Sequence, residues 1–211
     1  MTTYHYVVLE KPGSAHLSTE TDAPNMESVD YKRQPDVYGV RHALARAGAY
    51  CCGIFRGGLF GLKTSQISML LAWESAVPPD FDSRLCVQTS SLLIRSGQFR
   101  STVRPQRPET ISRAGFYVIR WLEMHPADIL EYTQLCLETW PAFEADGTAR
   151  CFGVFRPLED SDPVTLLMLT WYHNLDAWER SRTLTSSDTE KWVRRSQMEL
   201  RHWAEAARLA S

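Results

Sequence analysis

The tetrapeptide Gly53-Ile54-Phe55-Arg56 returns as Gly153-Val154-Phe155-Arg156, one hundred positions later. Both copies lie in apolar runs, "YCCGIF" and "ARCFGVFR", whose β-branched and aromatic residues predict strands. A phosphate-binding loop would set its glycines in a G-x-G-x-x-G or P-loop frame between a strand and a helix, and neither frame is present. Glycine inside a strand marks a bulge or a close backbone approach instead. The repeat therefore speaks to architecture. Two further pairs run alongside it: Leu70-Leu71-Ala72-Trp73 with Met168-Leu169-Thr170-Trp171, 98 positions apart, and Arg95-Ser96 with Arg195-Ser196, 100 apart. Matching segments in one element order predict a βαββαβ unit built twice, an internal duplication dividing the chain into residues 1–108 and 109–211.

The element order supports that division. In the first half, residues 4–10 read as a strand and the Pro-, Gly-, Ser- and Asp-rich 11–34 as a long loop. Residues 36–48 read as a helix weakened by Gly39 and ended by Gly48. "YCCGIF" and "SQISMLLAWE" form two strands joined by the turn at Gly57, Gly58 and Gly61. Residues 76–83 read as a break, 90–99 as a short helix, 100–105 as a strand, and the polar 105–115 as a linker. In the second half, "FYVIRWLEM" (116–124) is a strand and Pro126 opens a helix. Ile129, Tyr132, Cys136, Trp140 and Phe143 give that helix one apolar face, with Pro141 expected to kink or end it early. "ARCFGVFR" and "VTLLMLTWY" are strands. Residues 175–182 and a segment starting near Asp188 are helical. The last stretch has helical propensity, whereas its counterpart in the first half reads as a strand.

The strand "TLLMLTWY" carries Leu167, Leu169 and Trp171 on one side and Leu166, Met168, Thr170 and Tyr172 on the other. An antiparallel sheet with one wet face alternates with polar residues, and this strand does not. Its sheet must be covered twice, by its own helices and by the sheet of the other repeat. The fold class that follows is α+β: two fused ferredoxin-like repeats packed sheet to sheet as a barrel within one chain.

Composition narrows the function classes. A chain of 211 residues with 44% hydrophobic residues builds a substantial core, and a net charge of −2 gives no basic field for nucleic acid. No run approaches the length of a membrane span, and the N-terminus lacks a signal-peptide pattern. Five cysteines without a C-x-x-C pair argue against a disulfide framework and point to a reducing cytoplasm. Cys51-Cys52 reads either as a redox pair or as small buried strand residues.

"LTWYHNLDAWERSR" (169–182), preceded by "CFGVFR" and "FYVIRW", resembles the NIPSNAP-like branch of the dimeric α/β-barrel proteins. The likeness covers 116–211, and more loosely the first half through "PDVYGVRHAL" and "GIFR". The resemblance implies ferredoxin-like domains paired into barrels, with a ligand inside the barrel or between sheet and helices. It also favours a closing strand near Ala206–Leu209. The superfamily includes cofactor-free oxygenases, lactone isomerases and haem-dependent enzymes, so it fixes no reaction.

Candidate residues follow from charge or aromaticity in apolar strands. Arg120 interrupts "FYVIRWLEM"; it either clamps a substrate carboxylate or enolate, or pairs with an acid such as Glu123 or Glu138. His173, after Trp171 and Tyr172, is a candidate base or haem ligand, or a solvated turn residue. His5 is a second candidate proton carrier; His42 and His125 have no motif around them. Tyr31, Lys32, Arg33 and Asp36 form either a lid or a solvated loop. Trp73, Trp121, Trp171, Trp178 and Tyr172 line a pocket or fill the core. The His spacings of a metal site are missing, so no metal is expected. The expected protein is a cytoplasmic enzyme, with a homodimer as a further possibility. It binds a hydrophobic or aromatic small molecule in a barrel cavity, without cofactor, as an oxygenase, isomerase or cyclase. Arg120, His173 and His5 would be catalytic; Trp121, Trp171, Tyr172, Tyr31 and Trp73 would bind substrate. A haem enzyme and a non-catalytic binding or assembly module are the alternatives.

Overall fold

The computed structural model of the chain describes residues 2–13, 34–182 and 189–210. Eight antiparallel strands close into a barrel: β1 (Thr3–Glu10), β2 (Tyr50–Phe60), β3 (Gln66–Trp73), β4 (Leu92–Ser101), β5 (Phe116–Met124), β6 (Ala149–Pro157), β7 (Val164–Tyr172) and β8 (Arg201–Leu209). Their order around the barrel is β1-β3-β2-β8-β5-β7-β6-β4. Cut at its two seams, the ring gives β4-β1-β3-β2 and β8-β5-β7-β6, the same ferredoxin-like order twice. The seams match as well: Arg56 pairs with Arg208 across β2 and β8, and Arg156 with Arg100 across β6 and β4.

Helices α1 (Val37–Ala47) and α2 (Phe81–Thr89) belong to the first half, and α3 (Ile129–Phe143), α4 (Leu175–Ser181) and α5 (Thr189–Met198) to the second. The Asp36 carboxylate caps α1 by accepting the Tyr38 and Gly39 amides at 3.0 and 3.1 Å. A Cβ on Gly39 would stand 2.9 Å from that carboxylate. The glycine that weakens the helix is thus the one that admits its cap. Gly48 ends α1 at φ 75°.

Each half-sheet carries apolar clusters on both faces. One face forms the barrel interior, packed by Tyr4, Tyr6, Val8, Leu70, Tyr117, Ile119, Trp121, Leu167, Leu169 and Trp171. The outer face of the first half lies under α1 and α2, and that of the second under α3, α4 and α5. The linker crosses one barrel end: the Ile111 amide donates to the Cys52 carbonyl at 2.7 Å, and its side chain joins the interior cluster.

The bulges predicted at the repeated glycines are present. Register shifts fall between Cys51 and Gly53 and between Cys151 and Gly153. A Cβ on Gly153 would meet the Arg104 carbonyl oxygen at 2.1 Å, so the linker can approach only glycine there.

Several expectations need correction. Residues 92–99 lie in strand β4, not in a helix, because pairing with β1 outweighs a strand sequence in which only Phe99 is buried. The break at 76–83 runs into α2, whose Phe81 and Leu85 pack inward. Pro141 lies inside α3 without ending it; it sits in the last turn on the exposed side, where water can satisfy the freed carbonyl. Two of the matched pairs also fail. Ile54 pairs with Met69 as Val154 pairs with Met168, so Met69 and not Leu70 is the counterpart of Met168. A one-residue slip turns side chains to the opposite face, and Trp73 accordingly lies outside while Trp171 lies inside. Arg95 stands on β4 and Arg195 on α5, so they are not equivalent.

Candidate functional site

The register identifies where the halves differ. Val7 pairs with Met69 as Arg120 pairs with Met168, and Leu71 pairs with Cys51 as Thr170 pairs with Cys151. Two residues further, on the same face, Trp73 corresponds to Tyr172. In the first half Val7, Leu71 and Trp73 form part of a closed apolar cluster beneath α1 and α2. In the second half their counterparts form a polar set. Arg120 Nη1 donates to Thr170 Oγ1 at 3.2 Å and Nη2 to Tyr172 Oη at 3.0 Å. Thr170 Oγ1 in turn lies 3.9 Å from the Cys151 sulfur.

These residues form the sheet-side wall of a cavity of about 360 Å³, closed by α3, α5 and the end of α4. Its apolar lining includes Leu122, Trp140, Phe143, Met168 and Trp192. A volume in this range suits a small molecule.

A second arginine lines the cavity from the helix side. Arg195 is 5% exposed. Its Nη1 donates to Thr139 Oγ1 at 3.2 Å and its Nη2 to Tyr132 Oη at 3.0 Å, and its Nε has no partner. The guanidinium lies 4.6 Å from the Trp192 ring centroid and 4.9 Å from that of Tyr132. Burial works against its charge, but the Tyr132 and Cys136 side chains beside it outweigh that and its pKa lies above the usual arginine value. Buried charges normally have a counter-ion, yet both guanidinium groups hydrogen-bond to neutral hydroxyls. The acids expected to neutralise Arg120 are engaged elsewhere: Glu123 with Arg201 at 3.1 Å and Glu138 with Lys191 at 3.2 Å.

The cavity contains one carboxylate, Glu199, among its described lining residues. Its Oε1 accepts the Tyr132 hydroxyl at 3.3 Å, and its Oε2 lies 3.1 Å from His202 Nδ1. Tyr132 is fully buried, and burial pushes its phenol well above the usual range. All five thiols are free, and burial raises each of them, Cys136 to about 11 and Cys151 to about 12. None has the depressed pKa of a nucleophilic or redox-active cysteine, which leaves Cys51-Cys52 as strand residues.

The structure brings Arg120 and Tyr172 together in this cavity and places the other candidates elsewhere. Trp121 and Trp171 fill the barrel interior, so the barrel cavity expected to hold a ligand is occupied by side chains. Trp73 packs against Phe81 in the first half. His5 is buried beneath α2, with Nε2 3.4 Å from Asp82. His173 is exposed at the end of β7, its ring edge-on to Trp171. Neither histidine reaches the cavity. Trp178 packs on Phe60 and Phe116. Asp36 is the α1 cap, while Tyr31, Lys32, Arg33 and most of the loop 11–34 lie outside the described residues.

Sequence reasoning missed Arg195, Tyr132 and Glu199. Arg195 occupies the helix stripe that also carries Trp192 and Met198, and a charge at an apolar-periodic position was the available signal. Tyr132 was read only as part of an apolar face.

Among the described lining residues of the cavity no side chain is placed as an axial haem ligand. An axial ligand must project from the cavity wall, but His202 is 67% exposed at the rim and held by Glu199. The Cys151 thiol is engaged by Thr170. Among the described residues no group of three His, Cys, Asp or Glu stands close enough to hold a metal ion.

No protein-family model matches the sequence, and no curated protein matches it. Solved structures do match. A chlorite dismutase variant from Candidatus Nitrospira defluvii has a TM-score of 0.61 at 8% identity, over 100% of this chain and 92% of that one. A protein from Lactobacillus acidophilus NCFM, provisionally named as a monooxygenase, has a TM-score of 0.57 at 10% identity, over 100% and 97%. An anthrone oxidase-like protein has a TM-score of 0.50 at 10% identity, over 99% and 92%. At these identities the likeness establishes the fold alone, a closed antiparallel barrel built from two ferredoxin-like halves.

Proposed function

We propose that this chain is an enzyme that binds a small aromatic or hydrophobic anion in the cavity of its second half. The observation that carries the reading is the pair Arg120 and Arg195. A half-buried and a buried cation with hydroxyl partners, set among aromatic walls, form a site whose missing component is an anion. The hydroxyls of Thr170, Tyr172, Thr139 and Tyr132 orient the two guanidinium groups without neutralising them. A carboxylate, or an enolate formed during turnover, supplies the neutralisation. Leu122, Met168, Trp140, Phe143 and Trp192 enclose the apolar remainder and exclude water, which strengthens the electrostatic contact.

The chemistry that best suits this site is that of a cofactor-independent oxygenase, isomerase or cyclase, in which the protein stabilises a delocalised substrate anion. The names of two structural neighbours, a monooxygenase and an anthrone oxidase-like protein, are in keeping with it. The NIPSNAP-like affiliation suggested by "FYVIRW", "CFGVFR" and "LTWYHNLDAWERSR" belongs to the same proposal, as does a cytoplasmic location. Among the described residues no helix is long and apolar enough to cross a membrane.

Isothermal titration with 2-naphthoate and its neutral analogue 2-naphthalenemethanol tests the reading. The acid should bind at least about tenfold more tightly than the alcohol, a difference of about 1.4 kcal/mol. Arg120→Leu should remove most of that preference. Equal affinity for acid and alcohol would exclude an anion site.

A further inference from the structure

We infer that Glu199 is the proton acceptor of this site, and that the substrate is an enolisable aromatic acid. The inference rests on the anion-binding reading above and adds a reaction step to it.

Four lining residues form a continuous chain from the interior to solvent. Arg195 donates to the Tyr132 hydroxyl, Tyr132 donates to Glu199 Oε1, and Glu199 Oε2 meets His202 Nδ1. The first two are buried, whereas the His202 ring is 67% exposed. Glu199 is the carboxylate where the chain crosses the cavity wall, and it follows the last residue of α5 with its amide bonded to the Ser196 carbonyl. The hydrogen bond from Tyr132 and the contact with His202 Nδ1 fix its position. An ionised carboxylate has about four lone-pair sites, so these two contacts leave it able to accept a further proton.

The step balances as follows. A carbon acid, held by its carboxylate between the arginines, loses a proton from the carbon beside its carbonyl to a Glu199 oxygen. The C–H electron pair becomes the enolate, whose negative oxygen is stabilised by a guanidinium or the Tyr172 hydroxyl. The proton passes from Glu199 to the His202 imidazole and on to water, or returns to carbon. No oxidant or reductant is consumed. The aromatic walls and the two cations are the features that select an aryl-substituted 2-oxo acid over a neutral ketone.

Phenylpyruvate in D2O is the probe, with binding followed by calorimetry and exchange of its benzylic protons by NMR. Wild-type protein should bind it and accelerate exchange above the buffer rate. Glu199→Gln should keep or tighten binding while exchange falls at least about a hundredfold. Glu199→Asp, which retains a carboxylate, should recover part of the rate and controls for folding. His202→Asn should leave the dissociation constant within about threefold while exchange slows, because the route from Glu199 to solvent loses its imidazole. Binding without acceleration, or exchange by Glu199→Gln at the wild-type rate, would overturn the Glu199 assignment while leaving the anion site standing. Absence of phenylpyruvate binding would overturn both.

Discussion

Arg120 shows how one side chain divides stability from function. Its counterpart in the first half is Val7, in a closed apolar cluster. Arg120 is only half-buried, and exchanging such a charge without a counter-ion for an apolar group of similar size is often near neutral for stability. Arg120→Leu should therefore stay within about 1 kcal/mol of wild type in urea unfolding, while losing most of its affinity for 2-naphthoate. Asp82 works the other way. Burial opposes its ionisation, but hydrogen bonds from His5 and Ser96 outweigh that and hold its carboxyl below the usual range. The native state therefore binds fewer protons there than the unfolded chain, and the resulting stability is present above the ordinary aspartate value of about 3.9 and lost as pH falls through the lower native one. Asp82→Asn should be less stable than wild type at neutral pH, and the gap measured by thermal melts should close under acid. Arg120 was legible in the sequence because a charge interrupts an apolar strand. Arg195 was not, because its helix carries Glu190, Lys191 and Arg194 as well, and one charge among four does not stand out.

At the scale of elements, strands with two buried faces were the easiest to read. β5 and β7 are apolar on both sides, and the pairing of faces followed from that alone. β4 was misread because Leu92, Leu93 and Ile94 are exposed at its start and its strand character comes from its partner. The repeated glycines mark real bulges, but their surroundings differ. A Cβ at Gly153 would strike backbone at 2.1 Å, whereas one at Gly53 would meet the Phe55 and Ile111 side chains at 3.0 and 3.4 Å. Side chains yield more readily than a carbonyl. Gly153→Ala should therefore cost about 2 kcal/mol or more and Gly53→Ala about 1 kcal/mol or less, read from paired unfolding curves.

The whole molecule is one ring with two pseudo-equivalent seams. β8 reaches across to β2 and β4 across to β6, so each half completes the other's sheet. Residues 109–211 expressed alone carry both unpaired edges, and pairing β6 of one copy with β8 of another restores the ring. Light scattering should show that fragment as a dimer, and a folded monomer would speak against the equivalence of the seams. The halves share a frame and diverge on one face. Helices pack the first half shut and leave in the second a cavity lined by Arg120, Arg195 and, at the end of α4, Arg182. Sequence comparison alone obscured this, since it aligned Trp73 with Trp171 and so matched an outward residue with an inward one. The most direct measurement is a crystal structure of the protein with 2-naphthoate. The carboxylate should lie within hydrogen-bonding distance of both Arg120 and Arg195, with the rings against Trp140 and Phe143; a naphthoate bound inside the barrel or at another surface would contradict the assignment of this cavity as the site.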